Sequence, residues 1–311
     1  MSDLFCDRLL SAIDKIGAPI CVGIDPIVQS LPDAVRGKFA SNDNAAEAAV
    51  DAIFDFTTRL LKIVAPLVPI VKFQSAYFEQ YLWEGIEAYY SLIEEARELG
   101  LLTIGDVKRG DIGSTASAYA AAHLDDRSED EEHAATPDAI TVNPMLGLDT
   151  LQPFLQTARD TAKGLFVLVR TSNPGSAGLQ DVQLTTGQTW SEMLAAKLND
   201  LASEPGLLGS RGYSSLGAVV GATQPHTMQS LRKLLPRSIF LLPGYGAQGA
   251  TAEMTRAAFV DGEGAIVSAS RSILYAHKDP KYSSRFGNQW EKCVEAAVLD
   301  MKEDISRVLG S

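Results

Sequence analysis

Residues 106–115 read DVKRGDIGST and follow LGLLTIG, an apolar stretch suited to a buried strand. Asp106, Lys108 and Asp111 fall close together there, with Arg109 among them. Side chains two apart on a strand share a face, so Asp106 and Lys108 project together at its end. A lysine in that place suits two chemistries. Schiff-base formation needs a neutral amine, which an apolar pocket or a nearby cation favours. Carboxylates do the opposite and hold the ammonium form. One such contact at ~4 Å is worth ~4 kcal/mol at an effective dielectric of ~20, or about three pKa units. A fixed ammonium beside carboxylates therefore suits a reaction that develops a carbanion and must protonate it, as loss of CO2 from carbon does. Without that chemistry, Asp106 and Lys108 read as a structural ion pair. Asp111 then reads as a cap or dipole partner for the helix predicted after it.

Other polar residues fall at the ends of apolar runs. Asp25 closes the first run, Lys72 the second, Asn143 the fourth, and Thr171 with Ser172 the fifth. GYGAQG (244–249) follows the seventh and Arg271 the eighth. The GxGxxG pattern formally suggests a dinucleotide site, but position 269 is Ala269 where that fingerprint wants an acid, and the motif lies far from the first strand. A glycine-rich turn ahead of a helix also suits a phosphate, with Arg271 as a bidentate cation. A plain turn with a surface arginine is the simpler reading. Asn143 and Pro144 read equally as a strand-ending turn or a site wall. His123, His133, His226 and His277 lie in none of these motifs, so no histidine base is expected.

Eight runs must position these residues: 19–25, 68–73, 101–108, 139–144, 165–172, 216–222, 238–244 and 264–270. They are apolar almost throughout, as strands covered on both faces are. Helical periodicity lies between them at 44–64, 75–99, 113–123, 189–203 and 226–234, and again at 286–308. Strand–helix alternation repeated eight times predicts one (β/α)8 barrel over residues 1–311, whose strand C-termini build the site. A doubly wound open sheet is the alternative. Two loop excursions stand out, the charged DDRSEDEEHAATP (125–137) and NPGSAGLQDVQLTTGQ (173–188). The first reads as solvated loop; the second is long enough to suggest a function.

Net charge is −12, which argues against a general nucleic-acid surface and makes each motif lysine or arginine count. Cys6, Cys21 and Cys293 show no metal-ligand spacing and read as free thiols of a reducing compartment. No metal or cofactor is expected. The first residues carry acids and helical periodicity with no basic n-region, and no apolar run approaches a membrane span. A soluble, cytoplasmic protein is expected.

Together these motifs resemble the orotidine 5′-phosphate decarboxylase family, and in particular its longer bacterial branch. DVKRGDI resembles that family's D-x-K-x-x-D-I signature. VGIDP (22–26), VKFQSAYFE (71–79), TSNPG (171–175), LPGYGAQG (242–249) and SRSI (270–273) agree with it in order and strand. The resemblance implies cofactor-independent conversion of orotidine 5′-monophosphate to UMP and CO2. It implies that Lys108 donates the proton to C6 from a charged array with Lys72, Asp106 and Asp111. Asp25 and Lys72 would meet the ribose, Thr171 and Ser172 the pyrimidine end, and Gln248 both base and phosphate. Tyr245, Gly246, Ser270 and Arg271 would hold the phosphate. Asp111 would reach the neighbouring site of a homodimer. Ser270 and Ala250 stand where the family often has glycine, a departure that bears on phosphate geometry. Two other readings compete: a Mg-dependent barrel lyase on keto-sugar phosphates, and a non-catalytic nucleotide-binding barrel. The former class carries a metal-binding acid where this chain has Lys72, and a cation there repels a metal.

Overall fold

The computed structural model describes residues 3–39, 44–126 and 135–310. A helix, α1 (Phe5–Ile16), precedes eight strands: β1 (Ile20–Ile24), β2 (Ile70–Gln74), β3 (Leu102–Arg109), β4 (Ala139–Val142), β5 (Gly164–Arg170), β6 (Ser214–Val220), β7 (Ser238–Pro243) and β8 (Ala265–Ala269). Each pairs in parallel with its sequence neighbour, and β1 pairs with β8, so the sheet is a closed barrel. Closure rules out the open doubly wound sheet.

The longer helices of the outer layer are α2 (Ala45–Val64), α3 (Leu82–Glu98), α4 (Gly113–Leu124), α5 (Gln152–Thr161), α6 (Trp190–Ala202), α7 (Pro225–Leu234) and α8 (Trp290–Leu309). Local chemistry sets their ends. The Asn44 side chain accepts from the N–H groups of Ala46 and Glu47 to start α2, and Thr189 with Glu192 forms a capping box at α6. On α2 the buried Ile53, Phe56, Leu60, Leu61 and Val64 recur at helical spacing and face the strands. None of the described helices is long and apolar enough to cross a membrane. Cys6, Cys21 and Cys293 are all buried and unpaired.

Two predicted helices are broken. The expected 75–99 helix splits into Ala76–Glu79 and α3, with Leu82 at φ +56° between them. The first piece folds back on Gly85, where an added Cβ would lie 2.0 Å from the Phe78 carbonyl oxygen. The expected 286–308 helix is instead continuous only from Trp290, as α8, because Phe286 ends a separate short helix (Pro280–Phe286) that stops at Gly287 (φ +59°). The 173–188 excursion is not open loop throughout, since it holds a 3-10 turn (Pro174–Ser176) and a helical turn (Ala177–Gln180). Most of the acidic run, 127–134, lies outside the described residues, as does His133. Its flanks are tied down: the Lys163 ammonium donates to Asp126 Oδ1 (2.8 Å) and to the Thr136 carbonyl (3.1 Å).

The N-terminal end of the barrel is plugged by α1. Phe5, Cys6, Leu9 and Leu10 pack against Cys21, Ile70, Ile104, Ala139, Phe166 and Ile266 in one buried cluster. Phe5 meets Phe166 edge-on with ring centroids 5.9 Å apart. An added Cβ on Gly164 would fall 2.2 Å from the Phe5 ring, so the plug depends on that glycine. Gly164→Ala is expected to destabilise the protein by about 1–3 kcal/mol through overpacking, read as a lowered urea midpoint. Phe5→Leu in the same chain should recover part of the loss.

Candidate active site

The inward-facing positions follow the two-residue strand period, and along β1 to β4 and β8 they change from apolar to polar. Cys21 is followed by Gly23 and Asp25, Ile70 by Lys72 and Gln74, Ile104 by Asp106 and Lys108. Ala139 is followed by Thr141 and Asn143, and Ile266 by Ser268 and Ser270. The first member of each set belongs to the buried plug; the later members other than Gly23 line a cavity of about 740 Å³ at the strand C-termini. Leu168, Val219 and Leu241 form its floor. Such a volume takes a nucleotide-sized ligand.

Asp106 is the hub of the cavity. Its Oδ1 accepts from the Lys108 ammonium at 2.5 Å and from the Thr141 hydroxyl at 2.9 Å. Its Oδ2 accepts from the Lys72 ammonium at 2.8 Å and from Gln74 Nε2 at 3.0 Å. Burial alone would raise the Asp106 pKa, but the two ammonium groups outweigh it and hold the carboxyl well below its usual range. Burial would lower the pKa of Lys72; Asp106 and Asp25 reverse that and hold it above the usual lysine range. Asp25 Oδ1 lies 3.9 Å from the Lys72 ammonium and is buried with no hydrogen-bond partner in the structure.

Around this array the strands make room for specific side chains. An added Cβ on Gly23 would lie 2.0 Å from Ser270 Oγ, so a glycine on β1 admits the serine that precedes Arg271. At the end of β5, Arg170 is buried, and its guanidinium forks onto Asp181 at 2.7 and 2.8 Å and also donates to Ser176 Oγ. Gln180 Oε1 accepts the Thr171 N–H at 2.8 Å. These bonds strap residues 171–181 across the rim and place Leu179 and Gln180 on the cavity wall.

Comparison with known proteins gives the lineage. The profile described as the orotidine 5′-phosphate decarboxylase / HUMPS family matches residues 19–285. The chain belongs to that family. It is 41% identical over 303 residues to the orotidine 5′-phosphate decarboxylase of Rhodopirellula baltica, covering 97% of this chain and 98% of that one. It is 37% identical to the Clostridium novyi enzyme of the same name over 98% of this chain and 99% of that one. The solved OMP decarboxylase of Leishmania donovani superposes with a TM-score of 0.70 at 26% identity, covering 99% of both chains.

Of the residues that resemblance to the orotidine 5′-phosphate decarboxylase family assigns to the site, most line the one cavity. Asp25, Lys72, Asp106 and Lys108 do so from β1 to β3, Thr171 and Ser172 from β5, and Tyr245, Gln248, Ser270 and Arg271 from the last two loops. Asp111 and Gly246 are not among the lining residues. Asp111 does not serve as the side-chain cap of α4; its Oδ1 accepts the adjacent Ile112 N–H at 2.8 Å. Tyr245 lines the cavity, and its hydroxyl donates to Asp304 Oδ2 at 2.9 Å on α8. The Gly246 N–H is taken by the Ala250 carbonyl at 3.0 Å. Asn143 fills both roles considered for it, lining the cavity while its Oδ1 accepts the Met145 N–H at 3.0 Å in an Asx turn.

Among the described residues, no histidine lines the cavity. His123 is buried beside the Tyr90 hydroxyl (3.1 Å), and burial pushes its pKa down to about 4. His277 is half-buried and His226 is exposed. Sequence reading missed Gln74, Thr141 and Arg170. Gln74 and Thr141 were available from the period-two register on strands already recognised; Arg170 follows Phe166 and Leu168 in that register, but the pairing shifts between Leu168 and Arg170 and the side chain does not line the cavity.

The array predicts a pH dependence whose sign follows from the two shifts. Asp106 lies below its ordinary value, so its contribution to stability is present above about pH 4 and is lost as pH falls toward the folded value. Lys72 lies above its ordinary value, so its contribution is full below about pH 10.5 and is lost as pH rises through the folded value. Urea midpoints of wild type minus those of Asp106→Asn should therefore be level from about pH 5 to 9. A midpoint difference that titrates inside that window would contradict the assigned charge states.

Proposed function

We propose that the protein decarboxylates orotidine 5′-monophosphate to UMP and CO2, without a cofactor, as a step of pyrimidine nucleotide biosynthesis in the cytoplasm. The observation that carries this reading is the Asp106 carboxylate held between the Lys72 and Lys108 ammonium groups at the cavity wall. When the C6–CO2 bond breaks, its electron pair stays on C6, and CO2 leaves. An ammonium fixed beside that carbon stabilises the pair electrostatically and then delivers its proton, forming the C6–H bond. Lys108 takes this role, and its amine is reprotonated from solvent. Lys72 and Asp25 meet the ribose hydroxyls, Ser172 the ring amide, Gln248 the base and phosphate, and Arg271 the phosphate.

Family membership and near-full-length relatives named as decarboxylases support the same reaction. The family's name also takes in HUMPS enzymes, the class of the keto-sugar phosphate reading. Against that reading stands Lys72, a buried cation paired with two carboxylates, where such an enzyme would place an acid for its metal.

The working unit of this proposal is a homodimer in which Asp111 completes the partner's array. Loops after β2, β3 and β4 lie side by side at one end of the barrel. Trp83, in the first turn of α3, and Ile112 and Met145 in the loops after β3 and β4 are respectively 71%, 62% and 58% exposed. Exposed apolar side chains grouped in this way mark a surface that another chain covers.

Following orotidylate absorbance should show turnover by the wild type that EDTA leaves unchanged, and a loss of at least about 100-fold in kcat for Lys108→Ala. Wild type that binds UMP yet never consumes orotidylate would overturn the reaction. Near-normal turnover by Lys108→Ala would overturn only the role of the lysine. Mixing inactive Asp111→Asn with inactive Lys72→Ala protomers should restore partial activity, because one of the two shared sites then holds both native residues. No recovery after demonstrated subunit exchange would remove Asp111 from the shared site.

A further inference from the structure

Lys108 has a backbone that lysine rarely adopts, with φ at +48°. The cause is visible in the sheet. Gly105 pairs with Ile140 on β4, but the next pair is Arg109 with Val142, so four steps along β3 match two along β4. The strand bulges through Asp106, Val107 and Lys108, and the Lys108 N–H leaves the ladder. It finds a side chain instead, donating to Thr141 Oγ1 at 2.9 Å. The same hydroxyl donates its own proton to Asp106 Oδ1, also at 2.9 Å. Thr141 itself is 1% exposed.

We infer that Thr141 is a positioning residue for Lys108, because its single hydroxyl fixes both the strained backbone of the lysine and the carboxylate oxygen its ammonium rests on. The inference builds on the proposed decarboxylation. Both ends of the lysine are thereby referred to one point on β4: the main chain through its N–H, the ammonium through Asp106 Oδ1. Left-handed backbone at a non-glycine residue persists only where its surroundings hold it, and such strain gathers at functional sites. A hydroxyl is required, since the position must accept one hydrogen bond and donate another. Among residues of threonine's size and shape, serine keeps both functions and valine keeps neither.

Thr141→Val preserves shape and leaves the Lys108 N–H without its acceptor. Displacement of a reacting group by about 1 Å costs on the order of 100-fold in rate. With orotidylate as substrate, Thr141→Val is expected to lower kcat by about 10- to 100-fold while KM moves less than about threefold, since the hydroxyl touches the lysine array and not the phosphate end. Thr141→Ser should stay within about threefold of wild type in both constants. The affinity of Thr141→Val for UMP should match wild type and show the cavity intact. A Thr141→Val enzyme with kcat near wild type overturns the inference. So does a Thr141→Ser enzyme as impaired as Thr141→Val, which would assign the effect to packing of the methyl group. Amide hydrogen exchange at Lys108 tests the bond without turnover: protection should hold in wild type and Thr141→Ser and fall in Thr141→Val. Unchanged protection in Thr141→Val overturns the inference even if the wild type proves inactive on orotidylate, an outcome that would separately sink the proposed reaction.

Discussion

A buried carboxylate is costly unless every lone pair is met, and Asp106 is 7% exposed. Its two oxygens receive four donors from three strands: Lys72 and Gln74 on β2, Lys108 on its own strand, and Thr141 on β4. The desolvation of such an ion is worth several kcal/mol, so these donors are obligatory companions of the charge. Their geometry ties the ends of β2, β3 and β4 to one carboxylate. The two ammonium groups reach the cavity in fixed positions because Asp106 has no alternative partners. Removal of Asp106 would leave Lys72 buried with only Asp25, 3.9 Å away, to answer its charge.

The rest of the barrel serves this arrangement through one periodicity. On β1 to β4 and β8, positions that point inward are apolar where α1 plugs the bottom and turn polar further along the strand. A single strand therefore carries both the anchor and the reactive group, as in Ile104 followed by Asp106, or Ile70 followed by Lys72. Slipping a strand by one residue would exchange every inward side chain for an outward one, so the burial of Ile104 and Ile70 fixes the depth of the charges. The Gly23–Ser270 contact extends the same logic around the closure of the barrel. There a missing Cβ on β1 makes the space that a serine after β8 occupies.

Eight strands, closure and the polar strand ends were legible in the sequence because they are repeated, local signals. Asp106 and Lys108 stood out by charge in an apolar run. Thr141 did not, since a threonine in a strand is ordinary, and its role depends on a bulge that only pairing with β4 creates. Tyr245 was legible as a loop residue, but the direction of its hydroxyl was not, because Asp304 comes from α8, 59 positions along the chain. The break after Glu79 was hidden for a similar reason: Gly85 reads as a mild cost inside a helix until the Phe78 carbonyl is seen against it. Long-range partners decide these points, and periodicity carries no record of them.

The two sides of the cavity are built differently, and the chemistry gives a reason. On the β2–β4 side each polar group is held by others at hydrogen-bond distance, as the proton transfer proposed for Lys108 would require. On the β5 side the wall is a strap, fixed at its base by the buried Arg170–Asp181 fork. On the β7 side the glycine-rich turn closes on itself, with Gly246, Gly249 and Ala250 donating to carbonyls within the loop. Arg271 stands exposed beside that turn. In the proposed reaction, a phosphate arriving there would meet a cation first and a turn whose N–H groups are largely engaged. Energy gained at that group, remote from the bond being broken, could then be used to hold the base against the hydrogen-bonded array on the opposite wall.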